Sequence, residues 1–393
     1  MPAGNALSGI RRLVRWASLA AFLAVALAWP VVLGYLLPAL SPHIAAGAAL
    51  ARRVLGLGAF LSVPVLALIL LRRRGFCRWL CPTGRVLELC SHVRPRAQAR
   101  AWGRVPFVGQ WLAAATFAGA AVGLPLFLWT DPLAIFAGAL GALRHPAGAA
   151  AAASAAAMLL LVGASLLLPG LWCARLCPLG GVQEALATLR GPAPRDEAGT
   201  ESSQARPRRR LARRAALGAG CGFSGALALG RLLRARPKPL RPPGAADEAT
   251  LRGLCLRCGN CVRVCPSGIV RQDLRLADPT GLLTPVLRFD GDYCREECRA
   301  CGLSCPSGAI ERLPLAEKNR RLIGTAHIDL AGCLLTQEKE CGHCIPACPY
   351  AAIEERFSEA TWTASVRLDA ARCNGCGACL RVCPPRVITV HPV

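Results

Sequence analysis

The chain has 393 residues, a net charge of +24, and 53% hydrophobic but only 5% aromatic residues. That length suits two or three domains, and grease supplied by Ala, Leu and Val suits lipid-facing helices better than a mixed globular core. The basic surplus sits in 1–250, with 29 Lys and Arg against 8 Asp and Glu, whereas 251–393 holds 18 against 15. The Arg runs flank apolar stretches, which excludes a nucleic-acid-reading domain in favour of membrane orientation.

Four segments, roughly 14–37, 54–71, 108–129 and 149–169, are long and apolar enough to be expected as membrane spans of about 20 residues. Arg11, Arg12 and Arg15 precede the first. Nine Arg lie in 72–106 and nine in 170–214, while 130–147 carries only Arg144. The positive-inside rule then places the N-terminus and both Arg-rich segments in the cytoplasm.

Within this half "FCRWLCPTGRVLEL" (76–89) repeats as "WCARLCPLGGVQEA" (172–185) at an offset of 96 residues. Cys77 matches Cys173, Cys81 matches Cys177, Pro82 matches Pro178, Gly84 matches Gly180 and Glu88 matches Glu184. A repeat of this kind implies a pseudo-symmetric helical core with the two Cys pairs near an axis. One Cys-x3-Cys pair cannot complete a four-thiolate site, but two can. Cys77, Cys81, Cys173 and Cys177 are therefore expected to share an iron–sulfur centre; zinc remains an alternative that explains less of the chain. Arg78, Arg175, Glu88 and Glu184 flank the motifs as candidates for proton or headgroup chemistry. Cys90 and Cys221 fall outside the pattern and are expected to be structural.

Residues 190–207 are polar, Pro- and Ala-rich, and expected to be a linker. "RRRLARRAALGAGCGFSGALALG" follows, an Arg cluster before a small-residue apolar stretch, 215–230. It looks like a twin-arginine export signal built on Arg213 and Arg214, with a fifth span or a surface helix as alternatives. A basic, Pro-rich tether leads onward.

The remaining chain is turn-rich, and "RLIGTAHIDL" and "TASVRLDA" read as short strands. It carries four Cys runs, each ending in Cys-Pro: Cys255, Cys258, Cys261, Cys265; Cys294, Cys298, Cys301, Cys305; Cys333, Cys341, Cys344, Cys348; and Cys373, Cys376, Cys379, Cys383. A disulfide scaffold does not use this spacing. A cubane cluster needs four thiolates at tetrahedral corners, three from one tight loop and the fourth from elsewhere. A zinc ribbon uses two separated CxxC pairs instead. Gly259, Gly302, Gly342, Gly375 and Gly377 let the backbone close around sulfide. Four [4Fe–4S] clusters are expected, paired either between neighbouring runs or nested, first with fourth and second with third.

The hairpin motifs "CRWLCP" and "CARLCP", with "TDPLAIF" at 130–136, resemble the NapH family of membrane quinol dehydrogenase subunits associated with periplasmic nitrate reductase. The Arg-rich segment and four cluster motifs at 208–393 resemble the NapG/MauM ferredoxin family, whose members are exported with clusters installed. Together they look like a fusion: a membrane α-helical bundle of four to five spans followed by an α+β bacterial-ferredoxin-like polyferredoxin domain. The expected domains are 1–189, the linker 190–250 and 251–393.

The resemblance implies electron transfer from membrane quinol through the clusters to a periplasmic reductase or cytochrome, and so a quinol dehydrogenase component of a respiratory chain. It implies a multi-pass protein of a bacterial inner membrane with a periplasmic ferredoxin half. No nucleic-acid partner is expected. Two alternatives stay open: an assembly or metal-reducing factor for a copper or molybdenum enzyme, and a ferredoxin half facing the cytoplasm. The His residues (His43, His92, His145, His327, His343, His391) offer no CxxCH and no pair suited to b-type haem, so electrons are expected to move through clusters alone.

Overall fold

The computed structural model describes residues 3–72, 74–91, 106–144, 149–189, 205–234, 238–359 and 362–393. The chain divides into two compact units. The first comprises 1–235 with 247–260 and 306–309; the second comprises 236–246, 261–305 and 310–393.

The first unit is helical. Helices Pro30–Ala39, Pro42–Arg52, Pro82–Ser91, Pro132–Arg144 and Pro178–Leu189 each open on proline. At a helix start the missing N–H costs nothing and the fixed φ already fits. Their apolar faces meet in a core of Leu33, Leu37, Val65, Ile69, Phe76, Leu133, Phe136 and Leu179, into which Cys81 and Cys177 also pack.

The expected bundle of four to five spans is not what forms. Among the described residues one helix is long and apolar enough to cross a membrane, Ala215–Leu233, with a mean hydropathy of 1.3. The other stretches are cut short by their own breakers. The 14–37 segment divides into Ala3–Ala28 and Pro30–Ala39, because Pro30 has no N–H to continue the ladder. The 54–71 segment becomes helical only at Leu57, after Arg53 turns left-handed at φ 54°. Helix Val108–Ala121 stops before Gly123, at φ 84°. Leu57–Leu71, at 15 residues, falls below spanning length. Val32–Ala39 and Pro42–Arg52 would pass together, but they bend by 83° at their junction. The segment that looked least span-like in the sequence, 215–230, lies in an unbroken helix, Ala205–Arg234, that lacks an interior proline beyond its first turn.

Helix packing in this unit depends on glycine. A Cβ on Gly181 would stand 2.5 Å from the backbone of Gly109, and one on Gly109 would collide with the Cys177 carbonyl. Overpacking of this kind costs about 1–3 kcal/mol. Gly109→Ala is thus expected to lower the melting temperature of the unit by roughly 4–8 °C, read by circular dichroism. A wild-type melting curve would show that the contact relaxes freely.

The second unit is built from short antiparallel ribbons between Cys loops. β1 (Val270–Gln272) pairs with β2 (Pro285–Leu287), Val270 opposite Leu287. β3 (Thr325–Ile328) pairs with β6 (Ile388–His391), and β4 (Ile353–Ser358) with β5 (Thr363–Leu368). Both strands expected from the sequence are present as β3 and β5. Short helices Asn260–Arg263, Ala300–Leu303 and Ala378–Val382 carry the third Cys of the first, second and fourth runs; the third run turns without one.

Candidate metal centres

The two copies of Cys-x3-Cys-Pro fold alike. In each, the second Cys donates its N–H five residues back, Cys81 to Phe76 at 3.0 Å and Cys177 to Trp172 at 2.9 Å. The second copy is a π-helix, Trp172–Leu176, a form common at functional sites, whereas the first is a short α-helix, Gly75–Trp79, that widens only at Cys81. That second Cys then stands just before a helix N-terminus. Gly84 N–H donates to Cys81 Sγ at 3.4 Å, and Gly180 N–H to Cys177 Sγ at 3.3 Å. Amides and a helix dipole directed at sulfur favour the thiolate.

Cys77, Cys81, Cys173 and Cys177 line one cavity of about 250 Å³, with Trp172, Pro132 and Glu88 among its other walls. Gln183 Nε2 donates to Cys77 Sγ at 2.9 Å. Burial, then the Cys173 thiol, pushes Cys77 up to about 12. Burial drives Cys81 and Cys177 well above the ordinary thiol range, with Cys77 adding to it in both. Four mutually opposed thiols, Cys81 and Cys177 buried and Cys77 and Cys173 half-buried, become ligands only when a cation compensates their charge. Gln183 Oε1, Trp172 Nε1 and Arg85 Nε are also buried without a hydrogen-bond partner. Donor set, enclosed volume and orphaned polar atoms together fit a polynuclear thiolate-bound centre. Among the described residues no three His, Cys, Asp or Glu converge tightly enough to grip a single ion; the thiols surround a volume instead.

The flanking charges tie the repeats together. Arg74, left-handed at φ 53°, bonds Glu184 at 3.0 Å and reaches the carbonyls of Cys173 and Ala174 at 3.5 Å. Glu88 pairs with Arg15 and Arg85. Burial raises its pKa, but those two cations outweigh it and hold the carboxyl below the usual range. Arg175 lies over the Phe107 ring at 4.1 Å and Arg78 lines the cavity.

Three groups beside these motifs escaped the sequence argument. Gln183 is one. The others are Asp131 and His43, both fully buried, with His43 Nδ1 at 3.4 Å from Asp131 Oδ2. Ser41 Oγ donates to the same carboxylate at 2.6 Å, and Asp131 caps Leu133 N at 2.9 Å. The only signal for Asp131 was its place in "TDPLAIF". Cys90 is half-buried, and Cys221 is exposed rather than packed as a small hydrophobe. His92, His145, residues 190–204 and the side chains of Arg213 and Arg214 lie outside the described residues.

In the second unit the Cys runs pack in neighbouring pairs. Cys261, Cys265 and Cys294 share one apolar core. Cys333, Cys344, Cys348, Cys373, Cys379 and Cys383 share another. Burial, then the thiols of Cys294, Cys298 and Cys265, pushes Cys301 up to about 12. Burial, then Cys376, Cys373 and Cys348, takes Cys379 to about 12. Burial with Cys333, Cys341 and Cys383 takes Cys344 to about 11. The groupings are therefore Cys294, Cys298, Cys301 with Cys265; Cys373, Cys376, Cys379 with Cys348; and Cys333, Cys341, Cys344 with Cys383. In each, the last Cys of one run joins three from its neighbour, as two-cluster modules require. Of the first run, Cys255 and Cys258 belong to the first unit. Half-buried Arg257, between them in sequence, lies over Trp129 at 5.6 Å. Cys305 accepts from Ile310 N–H at 3.4 Å and Cys348 from Ala352 N–H at 3.3 Å. Gly375 and Gly377 take positive φ, 76° and 84°, where the fourth run wraps. Gly302 and Gly342 do not; Gly302 is held small by the Glu311 carbonyl.

Residues 54–100 and 150–195, the two halves of the repeat, match a family described as 4Fe-4S binding domain. Residues 255–269 match another of that description, and 293–352 and 339–388 match two described as 4Fe-4S dicluster domain. The match over 339–388 joins the third and fourth runs, as the packing does, whereas 293–352 joins the second and third. Cys runs folded as paired modules define a ferredoxin-type [4Fe–4S] electron-transfer protein. The chain belongs to the ferredoxin-type proteins that include MauM and NapG. It is 32% identical to the methylamine utilization ferredoxin-type protein MauM of Methylobacillus flagellatus, over 42% of this chain and 74% of that one. It is 32% identical to the ferredoxin-type protein NapG of Escherichia coli, over 38% and 68%. The ferredoxin-type protein NapF of the same species is 31% identical, over 39% and 84%. No solved structure matches the chain.

Proposed function

We propose that the protein takes electrons from a membrane quinol, through a centre held by Cys77, Cys81, Cys173 and Cys177, and passes them along four [4Fe–4S] clusters on the sixteen ferredoxin Cys to a periplasmic acceptor. The observation that carries this reading is the cavity walled by all four repeat cysteines. A second cavity of about 330 Å³, lined by apolar Phe22, Val65, Phe76 and Leu80 with Ser18, adds support, because Phe76 precedes Cys77 directly in the chain. Ligand sites are concave, apolar and of this size. Quinol oxidation releases two electrons and two protons, and iron–sulfur centres accept electrons singly. The NapH-like character of the repeat belongs to this proposal.

The helix Ala215–Leu233 tethers the chain to the bilayer, and export through the Arg213–Arg214 signal places the ferredoxin half outside. Protease added to intact spheroplasts is expected to digest an epitope tag at the C-terminus while sparing a cytoplasmic marker. Replacing Arg213 and Arg214 with Lys is expected to protect the tag. A tag protected in the wild-type protein, and cut only after lysis, would place the acceptor in the cytoplasm. The test for the whole route is anaerobic purification followed by quinol-dependent reduction of the clusters; no reduction by any quinol would overturn it.

A further inference from the structure

The short helix Leu315–Arg320 carries no cysteine, yet it touches three of the four runs. Lys318 is only 2% exposed. Its Nζ donates at 2.6 Å to the carbonyl of Arg295, the residue after Cys294. Asn319 accepts on its carbonyl from Asn374 Nδ2 at 3.3 Å, and on its side chain from Tyr350 OH at 3.2 Å. Asn374 follows Cys373, and Tyr350 lies two residues after Cys348. The Asn374 carbonyl accepts from Ile323 N–H at 2.8 Å. The helix thus fastens the second run to the loops of the third and fourth. At the fastened point Cys294 N–H donates to the Cys376 carbonyl at 2.9 Å, so the two paired modules meet ligand to ligand.

Lys318 is unusual in a second respect. A buried ammonium needs an anion, and among the described residues no carboxylate lies within ion-pair distance of it. Through the Arg295 carbonyl its ammonium is held beside Cys294; burial pushes that thiol up, while the charge of Lys318 works the other way. A cation held against a ligand sulfur stabilises the more negative, reduced state of whatever that sulfur binds, and so raises its reduction potential.

We propose that electrons cross between the two modules at the Cys294–Cys376 contact, and that Lys318 is the positioning residue that raises the potential of the cluster held by Cys265, Cys294, Cys298 and Cys301. This rests on the reading that these cysteines hold clusters. Each crossing moves one electron: one site is oxidised as the other is reduced, and no bond is made or broken. The three groupings then stand in line, with the Cys348/Cys373/Cys376/Cys379 site in the middle.

The test is a redox titration of the full chain, purified anaerobically and followed by electron paramagnetic resonance, with Cys294→Ser marking the signal that belongs to this site. Lys318→Met is expected to shift that midpoint to lower potential and leave iron content and the other midpoints unchanged; Lys318→Arg is expected to keep it near wild type. Should the Met variant lose iron, Lys318→Gln, which keeps a donor but no charge, answers the same question. Unchanged midpoints at full iron content would overturn the role of Lys318. Absence of magnetic interaction between the reduced Cys294-side and Cys376-side clusters would overturn the crossing. A normal shift in a protein that no quinol reduces would remove the quinol reading and leave this one standing.

Discussion

In a Cys77→Ser, Cys173→Ser double variant, quinol-dependent reduction of the ferredoxin clusters falls to the buffer-only background, while dithionite still reduces them fully. The reason lies in the cavity. Each of these cysteines opens one copy of the repeat, and both line the same cavity. Removing one from each pair leaves two thiols, too few for a four-thiolate centre. The sixteen other ligands are untouched, so a small reductant that enters the ferredoxin half directly bypasses the lesion. Iron analysis sharpens the outcome: loss of about four irons per chain with the rest retained is expected. Full quinol reduction in the double variant would take the repeat out of the electron path. Loss of all iron would mean that the four cysteines support the fold rather than the route.

The second large effect concerns ligand sharing. Intact protein is expected to carry about 16 irons on the four ferredoxin runs, at four per cubane, beyond those of the repeat. A total near eight would sink the four-cluster reading. Cys348→Ser discriminates further. If each run served only itself, this change would damage the third run's site. Because Cys348 groups with Cys373, Cys376 and Cys379, the site damaged is expected to be the fourth run's. A Cys376→Ser, Cys348→Ser double variant should then lose no more iron than either single variant. Additive loss would return the nested or unshared arrangement to consideration.

Much of the site was legible in the chain. Ligand spacing is a local property: three thiolates on one cluster must come from one tight loop, so C-x2-C-x2-C-x3-C-P announces its chemistry without a fold. The offset of 96 residues between Cys77 and Cys173 likewise announced that two pairs belong together. The span reading failed because hydropathy sums composition and ignores hydrogen bonding. Pro30, Arg53 and Gly123 stood inside or beside apolar stretches, and each marks a place where the ladder stops. Segment 215–230 had no such breaker, and it lies in one unbroken helix.

The sequence by itself determined the donor atoms, their grouping into runs, the duplication of Cys-x3-Cys-Pro, and membership of the ferredoxin-type family. The tertiary structure decided which runs pack together, because that depends on which loops share an apolar core and not on spacing within a loop. It decided that His43 and Asp131 meet although 88 residues separate them. It also decided that Lys318, an ordinary surface-type residue in the sequence, is buried with its ammonium on the carbonyl next to Cys294. Burial and charge pairing are relations between distant segments, and only folding brings those segments within reach of one another.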